Sequence, residues 1–271
     1  ELSVRRSFSV AKKVVYQNCE VVSAVPLCEK LLNNVLPRTI VQRMKDNPTQ
    51  AIVDEVPEAS VLFLYSDGLK PHAGDETARN KLCVDIVNDV NGFLWVMDSL
   101  CVRNKCEKIK TVPYLVVSGC PDPTPVHASR LARCALDVLA AAESWNRENG
   151  THIRIKAGIH TGKVTAGVLG SSKFQYDIFG DTVNFASRLT TNAEWGTLQV
   201  SQITQALLAT EYEFVDRGQV ELKGKGAQHV FVVTDEIARD SVKSSRIDPP
   251  RRRHRSVDPL TGRQRLELVD M

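Results

Sequence analysis

Residues 174–189 read FQYDIFGDTVNFASRL, and this stretch decides how the rest of the chain is interpreted. Its second half predicts a helix near Thr182–Asn192, with Asn184 and Arg188 four positions apart on one face. Taken alone, this spacing is typical of a solvated helix face.

The segments around this stretch alternate between predicted strands and helices. Residues 59–65 predict a central strand, residues 75–103 a long helix, and residues 108–118 a hairpin of two short strands. A second long helix is expected over residues 126–149, ending at Gly150. The alternation predicts an α/β sandwich in which helices cover a mixed sheet. Further elements are expected in the C-terminal part: a second hairpin over residues 153–169 that turns at Thr161-Gly162-Lys163, a strand near Leu198, a helix over residues 202–208, and strands near Phe214, Val220 and Val230.

The run from Phe179 to Arg188 resembles the nucleotide-binding core of class III adenylate and guanylate cyclases. The resemblance extends over about residues 25–235 and implies a ferredoxin-like βαββαβ core, in which helices cover a mixed, mainly antiparallel sheet. It also implies a short signalling helix upstream of the catalytic domain, within a segment where Pro37 interrupts the helical pattern. The resulting domain prediction has four parts: an N-terminal extension at 1–24, a signalling helix and linker at 25–56, a cyclase homology domain at 57–236, and a basic, disordered tail at 237–271.

The resemblance assigns roles to three polar residues. In such cyclases the ribose 3′-hydroxyl attacks the α-phosphate of the nucleotide, and pyrophosphate leaves. By resemblance Asn184 positions the ribose and Arg188 stabilises the negative charge that grows on the α-phosphate. Lys223 is expected to contact the terminal phosphates, although a Lys-Gly-Lys-Gly run also suits a charged turn between strands.

Two further positions report which base is bound. Adenylate cyclases typically carry Lys and Asp there, whereas guanylate cyclases carry Glu and Cys, and this chain has Lys110 and Asp177. A lysine can donate to adenine N1 and a carboxylate can accept from the 6-amino group, whereas guanine presents the opposite pattern at that edge. The pair therefore predicts adenine as the base, with a simple surface salt bridge as the alternative.

The two aspartates that hold metal ions in the family are missing. Gly68 sets the register of the first motif and puts Tyr65 at the first aspartate's position, while Asp67 would need a two-residue bulge to reach the metals. The second aspartate normally follows Lys-Thr-Ile-Gly, but here Val112 runs straight into Pro113, so the Gly-Asp pair is deleted. We therefore predict that this chain holds no metal by itself.

The chain lacks both metal-binding aspartates but keeps the residues expected to bind the base, the ribose and the phosphates. This combination predicts half of a divided active site. The first hypothesis is an adenylate cyclase half that converts ATP to cAMP and pyrophosphate only with a second cyclase domain bearing both metal aspartates. That partner would supply Mg²⁺ or Mn²⁺, and this chain alone would be inactive. The second hypothesis is a catalytically silent scaffold that acts through dimerisation. A homodimeric cyclase that uses Asp67 as a metal ligand is the third.

The charge distribution and the cysteine content give further expectations about partners and compartment. The region from Arg239 to Arg265 carries nine Lys or Arg against three Asp, so this tail is +6 in a chain of net charge +3. Such a tail could meet an acidic or lipid partner, or be merely solvated, and its lack of aromatic residues argues against nucleic acid. The seven cysteines lack metal-ligand spacing and fit a reducing compartment. We expect a cytoplasmic domain, which leaves open a membrane anchor elsewhere in a longer protein.

Overall fold

The computed structural model of the chain describes residues 31–68, 83–170 and 173–237. Four of the sequence predictions lie wholly or partly outside these ranges. They are the N-terminal extension, residues 25–30 of the signalling-helix segment, the start of the helix predicted from Asp75, and the basic tail.

The described residues form a sheet flanked by helices. In chain order the elements are α1 (Arg38–Asp46), β1 (Val53–Asp67), α2 (Cys83–Arg103), β2 (Glu107–Thr111), β3 (Tyr114–Ser118), α3 (His127–Asn149), β4 (Arg154–Leu169), β5 (Gln175–Phe179), α4 (Asp181–Asn192), β6 (Leu198–Ser201), α5 (Gln202–Leu208), β7 (Tyr212–Leu222) and β8 (Gly226–Glu236).

The strands form one sheet in the order β2-β3-β1-β4-β6-β8-β7, and β5 pairs with the far end of β4. The segment β1-α2-β2-β3-α3-β4 has the ferredoxin-like βαββαβ order. All pairings in the sheet are antiparallel except that of β4 with β6. The predicted fold class, helices over a mixed and mainly antiparallel sheet, is confirmed.

Strand β4 differs from the prediction, because no hairpin forms at residues 161–163. The strand runs on through all sixteen residues and pairs with β1 along its length, from Val53↔Gly167 to Asp67↔Arg154. Gly162 was the apparent turn signal, but a Cβ there would lie 2.7 Å from the Thr182 hydroxyl at the start of α4. This glycine therefore permits close packing of helix on strand.

Strand β7 is also longer than expected, since Phe214 and Val220 belong to one strand. It forms a hairpin with β8, joined by the turn that contains Lys223 and Lys225. Two other predictions are confirmed: β2 and β3 form the short hairpin, and α3 ends at Gly150 with φ 60°.

Both faces of β1 are buried, which explains its uninterrupted apolar run. Leu62 and Leu64 face a core built with α2 and α3, and Val61 and Phe63 face the opposite way. The second core includes Ile40 of α1 and residues of β5 and α4. The sheet therefore lies between two layers, and α4 belongs to the layer opposite α2 and α3. In the described part of the chain, no helix is long and apolar enough to cross a bilayer.

Candidate active site

Five predicted residues, called the binding side below, lie on β2, β5, α4 and the β7–β8 turn. They are Lys110, Asp177, Asn184, Arg188 and Lys223. Three positions, called the metal side below, lie at the end of β1 and in the β2–β3 turn. They are Tyr65, Asp67 and the Val112-Pro113 turn.

The structure brings Lys110 and Asp177 together from positions that are far apart in sequence. The Lys110 Nζ lies 2.6 Å from the Asp177 Oδ2, and the Asp177 side chain is only 6% exposed against 37% for the lysine. The other carboxylate oxygen of Asp177 accepts the Ile178 backbone N–H at 2.9 Å. The carboxylate is thus fixed at both oxygens, while the ammonium remains open to solvent and has further N–H groups to donate.

Asn184 and Arg188 lie on one face of α4, as the four-residue spacing predicts. Asn184 is exposed and Arg188 is half-buried. Within the described ranges, neither side chain forms a hydrogen bond or ion pair. The helix begins directly after Gly180, whose φ of 136° is accessible to glycine and strained for other residues. This turn connects the Asp177 strand to the Asn184 helix within seven residues.

The β7–β8 turn lies against α4. Leu222 packs in a small cluster with Leu189, and Phe185 lies at the edge of the same cluster. Lys225 forms an ion pair with Asp181 at the first turn of α4. Lys223 is exposed, and in the part of the chain that the structure describes its ammonium has no partner. The two lysines of one turn therefore differ: Lys225 fastens the turn to the helix, and Lys223 is available for a ligand.

The metal side carries no pair of carboxylates. The Tyr65 hydroxyl lies 2.9 Å from the Ser187 hydroxyl, and the turn that lacks the second aspartate consists of Val112, which is 89% exposed, and Pro113. Asp67 forms an ion pair with Arg154 and accepts the Gly68 backbone N–H at 2.8 Å. Among the described residues no cluster of three His, Cys, Asp or Glu side chains could hold a metal ion. The residues present therefore do not fit a two-metal site.

Two supports of α4 were not predicted from sequence. The first is the Tyr65–Ser187 contact. The second is His160 on β4, whose ring stacks on Phe185 with centroids 4.1 Å apart and whose Nδ1 lies 2.8 Å from the Ser201 hydroxyl. Burial lowers the pKa of His160 to about 4, so the ring is neutral at pH 7. Neither contact has a local sequence signal, since its partners lie on different strands and helices.

Comparisons with known proteins identify the family of this domain. The family model described as "Adenylate and Guanylate cyclase catalytic domain" matches residues 55–235. The adenylate cyclase of Mycobacterium bovis is 35% identical over 215 residues, which cover 78% of this chain and 47% of the relative. The guanylate cyclase soluble subunit beta-2 of Rattus norvegicus is 32% identical over 218 residues, covering 77% of this chain and 30% of the relative.

Among solved structures, the guanylate cyclase domain of RhGC from Catenaria anguillulae, determined in complex with GTP, superposes with a TM-score of 0.61 at 28% identity. The alignment covers 68% of this chain and 99% of that domain. The chain spans less than half the length of these two curated relatives.

Proposed function

The chain belongs to the family of adenylate and guanylate cyclase catalytic domains, and we propose that it is the metal-free half of a divided adenylate cyclase. Class III cyclases use ATP and divalent metal ions, and cyclase domains typically work as dimers. In the proposed complex this chain contributes the binding side, and a second cyclase domain contributes both metal aspartates. The complex would convert ATP to cAMP and pyrophosphate, in the cytoplasm.

The observation that carries the proposal is the Lys110–Asp177 pair. A carboxylate that is 6% exposed is costly to keep charged unless it is paired, and here it is paired with a lysine whose ammonium still faces solvent. Adenine offers an acceptor at N1 to Lys110 and a 6-amino donor to Asp177. Guanine offers a donor and an acceptor in the reverse places, which would set a donor against the Lys110 ammonium and an acceptor against the buried Asp177 carboxylate. The 35% identical adenylate cyclase supports the same base.

The chemistry assigned to this chain is positioning and charge stabilisation. Asn184 would orient the ribose so that its 3′-hydroxyl faces the α-phosphate. The Arg188 guanidinium would bind the α-phosphate oxygens, whose negative charge increases as the new bond forms and pyrophosphate leaves. Lys223 would hold the terminal phosphates as a mobile positive charge. The metal ions would be held by the partner's aspartates, since the metal side of this chain has no place for them.

A mixing experiment tests the proposal. The partner is a cyclase domain that bears both metal aspartates but whose own transition-state arginine is replaced by alanine, so it cannot complete a site with itself. We expect no cAMP from this chain alone with ATP and Mg²⁺ or Mn²⁺, and cAMP formation when the two are mixed. Substantial activity of the chain alone would show that the site is not divided.

The decisive variant is Arg188→Ala in the mixture. Removal of a charge-stabilising donor is expected to lower kcat by about 10²–10³-fold. The matched control is Arg147→Ala, because Arg147 is exposed on α3 and its guanidinium donates within its own helix to Ser144. This control should leave kcat unchanged.

The alternative function is a catalytically silent scaffold, and the metal side favours it, because its side chains are engaged in contacts within the protein. Under that alternative the chain dimerises with cyclase domains but adds nothing to catalysis. Mixtures with every metal-bearing domain of the same cell would then give no cAMP, or Arg188→Ala would not change their activity. Either result would replace the half-site proposal by the scaffold.

A further inference from the structure

We infer that Tyr65 is a positioning residue that fixes helix α4 in the orientation that the Arg188 chemistry requires. The inference rests on the proposed function for its catalytic consequence, but its structural part can be tested on the chain alone. Tyr65 is therefore more than a lost metal ligand. Where the family resemblance leads one to expect a metal-binding aspartate, Tyr65 places a hydroxyl within reach of the helix.

The first step is the contact itself. The Tyr65 hydroxyl lies 2.9 Å from the Ser187 hydroxyl, which is hydrogen-bonding distance, and joins two elements that are 122 residues apart in sequence. Ser187 directly precedes Arg188 and lies three positions after Asn184, so it lies within the same helical turn as both. A bond at this position restrains rotation of the helix face that carries the two predicted catalytic residues.

The second step is that the tyrosine side chain is itself held in place. Tyr65 is half-buried, packs at the edge of the core that includes Phe63 and Ala186, and meets the Phe63 ring edge-on with centroids 6.3 Å apart. An aromatic ring that is fixed on a central strand makes a rigid support. An aspartate at the same position has a shorter side chain and would end well before Ser187.

The third step is that the other contacts of α4 hold different parts of it. The Thr182 hydroxyl donates to the Lys163 carbonyl at 2.6 Å at the beginning of the helix, and Lys156 donates to the Thr191 carbonyl at 2.7 Å at its end. His160 stacks on Phe185. The Thr190 hydroxyl also lies 3.4 Å from the Phe63 carbonyl on β1, but it donates over the shorter distance of 2.9 Å to the Ala186 carbonyl within α4. The Tyr65–Ser187 contact is shorter than the Thr190–Phe63 contact and lies directly next to Arg188. Its loss should therefore affect the Arg188 position more than the presence of the helix.

The test on the chain alone is hydrogen exchange of the α4 amides. Tyr65→Phe keeps the ring and removes only the hydroxyl, and we expect about fivefold faster exchange in α4. Ser187→Ala should give the same increase, and the double variant should add little to either, because both changes remove one bond. The control is Tyr114→Phe, which removes a tyrosine hydroxyl bonded to Asp98 at 2.6 Å, away from α4. It should leave α4 exchange unchanged.

The catalytic test uses the mixture described above. Tyr65→Phe and Ser187→Ala should each lower kcat about tenfold while the KM for ATP stays within about twofold, because a misoriented Arg188 weakens the transition state more than the ground state. Tyr114→Phe should leave kcat unchanged. Tyr65→Asp should lower kcat at least as much as Tyr65→Phe and should give no activity to the chain alone.

The outcomes are separable. Unchanged α4 exchange in Tyr65→Phe overturns the inference, and so does faster exchange with an unchanged kcat, since the contact would then be structural only. Additive effects of the two single variants on exchange also overturn it, because the two hydroxyls would then act independently. If the wild-type mixture makes no cAMP, the proposed function fails, and the inference that Tyr65 fixes α4 is decided by exchange alone.

Discussion

The binding side and the metal side lie in one domain, and they differ in what their polar atoms contact. On the binding side, Lys110 and Asp177 pair with each other, while Arg188 and Lys223 have no partner among the described residues. On the metal side, Tyr65 contacts Ser187, and Asp67 contacts Arg154 and Gly68. On the binding side Arg188 and Lys223 are available to a ligand. On the metal side the polar groups of Tyr65 and Asp67 contact other residues of the protein.

This difference is what the proposed division of the site predicts. A two-metal site needs several carboxylates at once, whereas the end of β1 offers a tyrosine and an aspartate that both contact other residues of the protein. If the binding side holds ATP as proposed, its charges must match a base, a sugar and phosphates at fixed positions. Three predictions can break or sharpen this comparison, in order of expected size.

The largest effect is expected from exchange of the base-reading pair. The double variant Lys110→Glu/Asp177→Cys should lower kcat/KM for ATP by about 10²–10³-fold and raise it for GTP, because the donors and acceptors at the purine edge are reversed. The measurement is cyclic nucleotide formation by the mixture with each triphosphate. A matched control is Lys108→Glu on the same strand, since the Lys108 Nζ also lies 2.6 Å from a carboxylate, that of Asp98.

The control should leave the preference between ATP and GTP unchanged, because the Lys108 pair is more exposed and has no predicted contact with the base. If both variants shift the preference equally, the Lys110–Asp177 pair is an ordinary salt bridge. The binding side would then lose its specificity for adenine.

A smaller effect is expected at the β7–β8 turn. Lys223→Ala should raise the KM for ATP by about five- to tenfold and change kcat less, because a point charge near the terminal phosphates contributes mainly to binding. Lys225→Ala is the control on the same turn, since its ammonium is paired with Asp181. We expect Lys225→Ala to leave the KM close to that of the wild type. A larger KM change for Lys225→Ala than for Lys223→Ala would reverse the two roles.

The smallest effect is expected at His160, and it appears in stability. Burial holds the pKa of His160 at about 4, against about 6.5 in an unfolded chain. Between these pH values the unfolded state binds more protons than the folded state, so stability falls as pH decreases from about 6.5 to about 4. The full loss of stability across this range is on the order of 3 kcal/mol. Asp181 opposes the shift of the pKa and Lys225 adds to it.

Thermal unfolding at pH 7 and pH 5 measures this effect. The His160→Asn variant retains a side-chain amide that can reach Ser201 but has no titrating group, so its midpoint should fall less between the two pH values than that of the wild type. An equal fall in both proteins would mean that folding does not lower the pKa of His160. The ring would then be protonated at pH 5 in the folded protein, and its stack on Phe185 would not depend on a neutral ring.

The fold was predictable because its signals are local. Helix α3 ends at a glycine, β2 and β3 are short runs joined by a tight turn, and α4 has regular spacing. The prediction was wrong at β4, where Thr161-Gly162-Lys163 has the composition of a turn. The long strand β1 pairs with β4 from Arg154 to Gly167, and this pairing outweighs the local preference of a glycine.

The sequence by itself determined the fold class and the family, and it predicted two sets of site residues, one present and one absent. These conclusions follow from residue types at fixed spacings, which a linear pattern can carry. The tertiary structure decided which of these side chains form contacts within the protein. Tyr65 reaches Ser187, His160 stacks on Phe185, and Lys225 rather than Lys223 pairs with Asp181, because the sheet and α4 bring together residues that are tens of positions apart or more. Such contacts depend on packing between distant elements, for which the chain has no local signal.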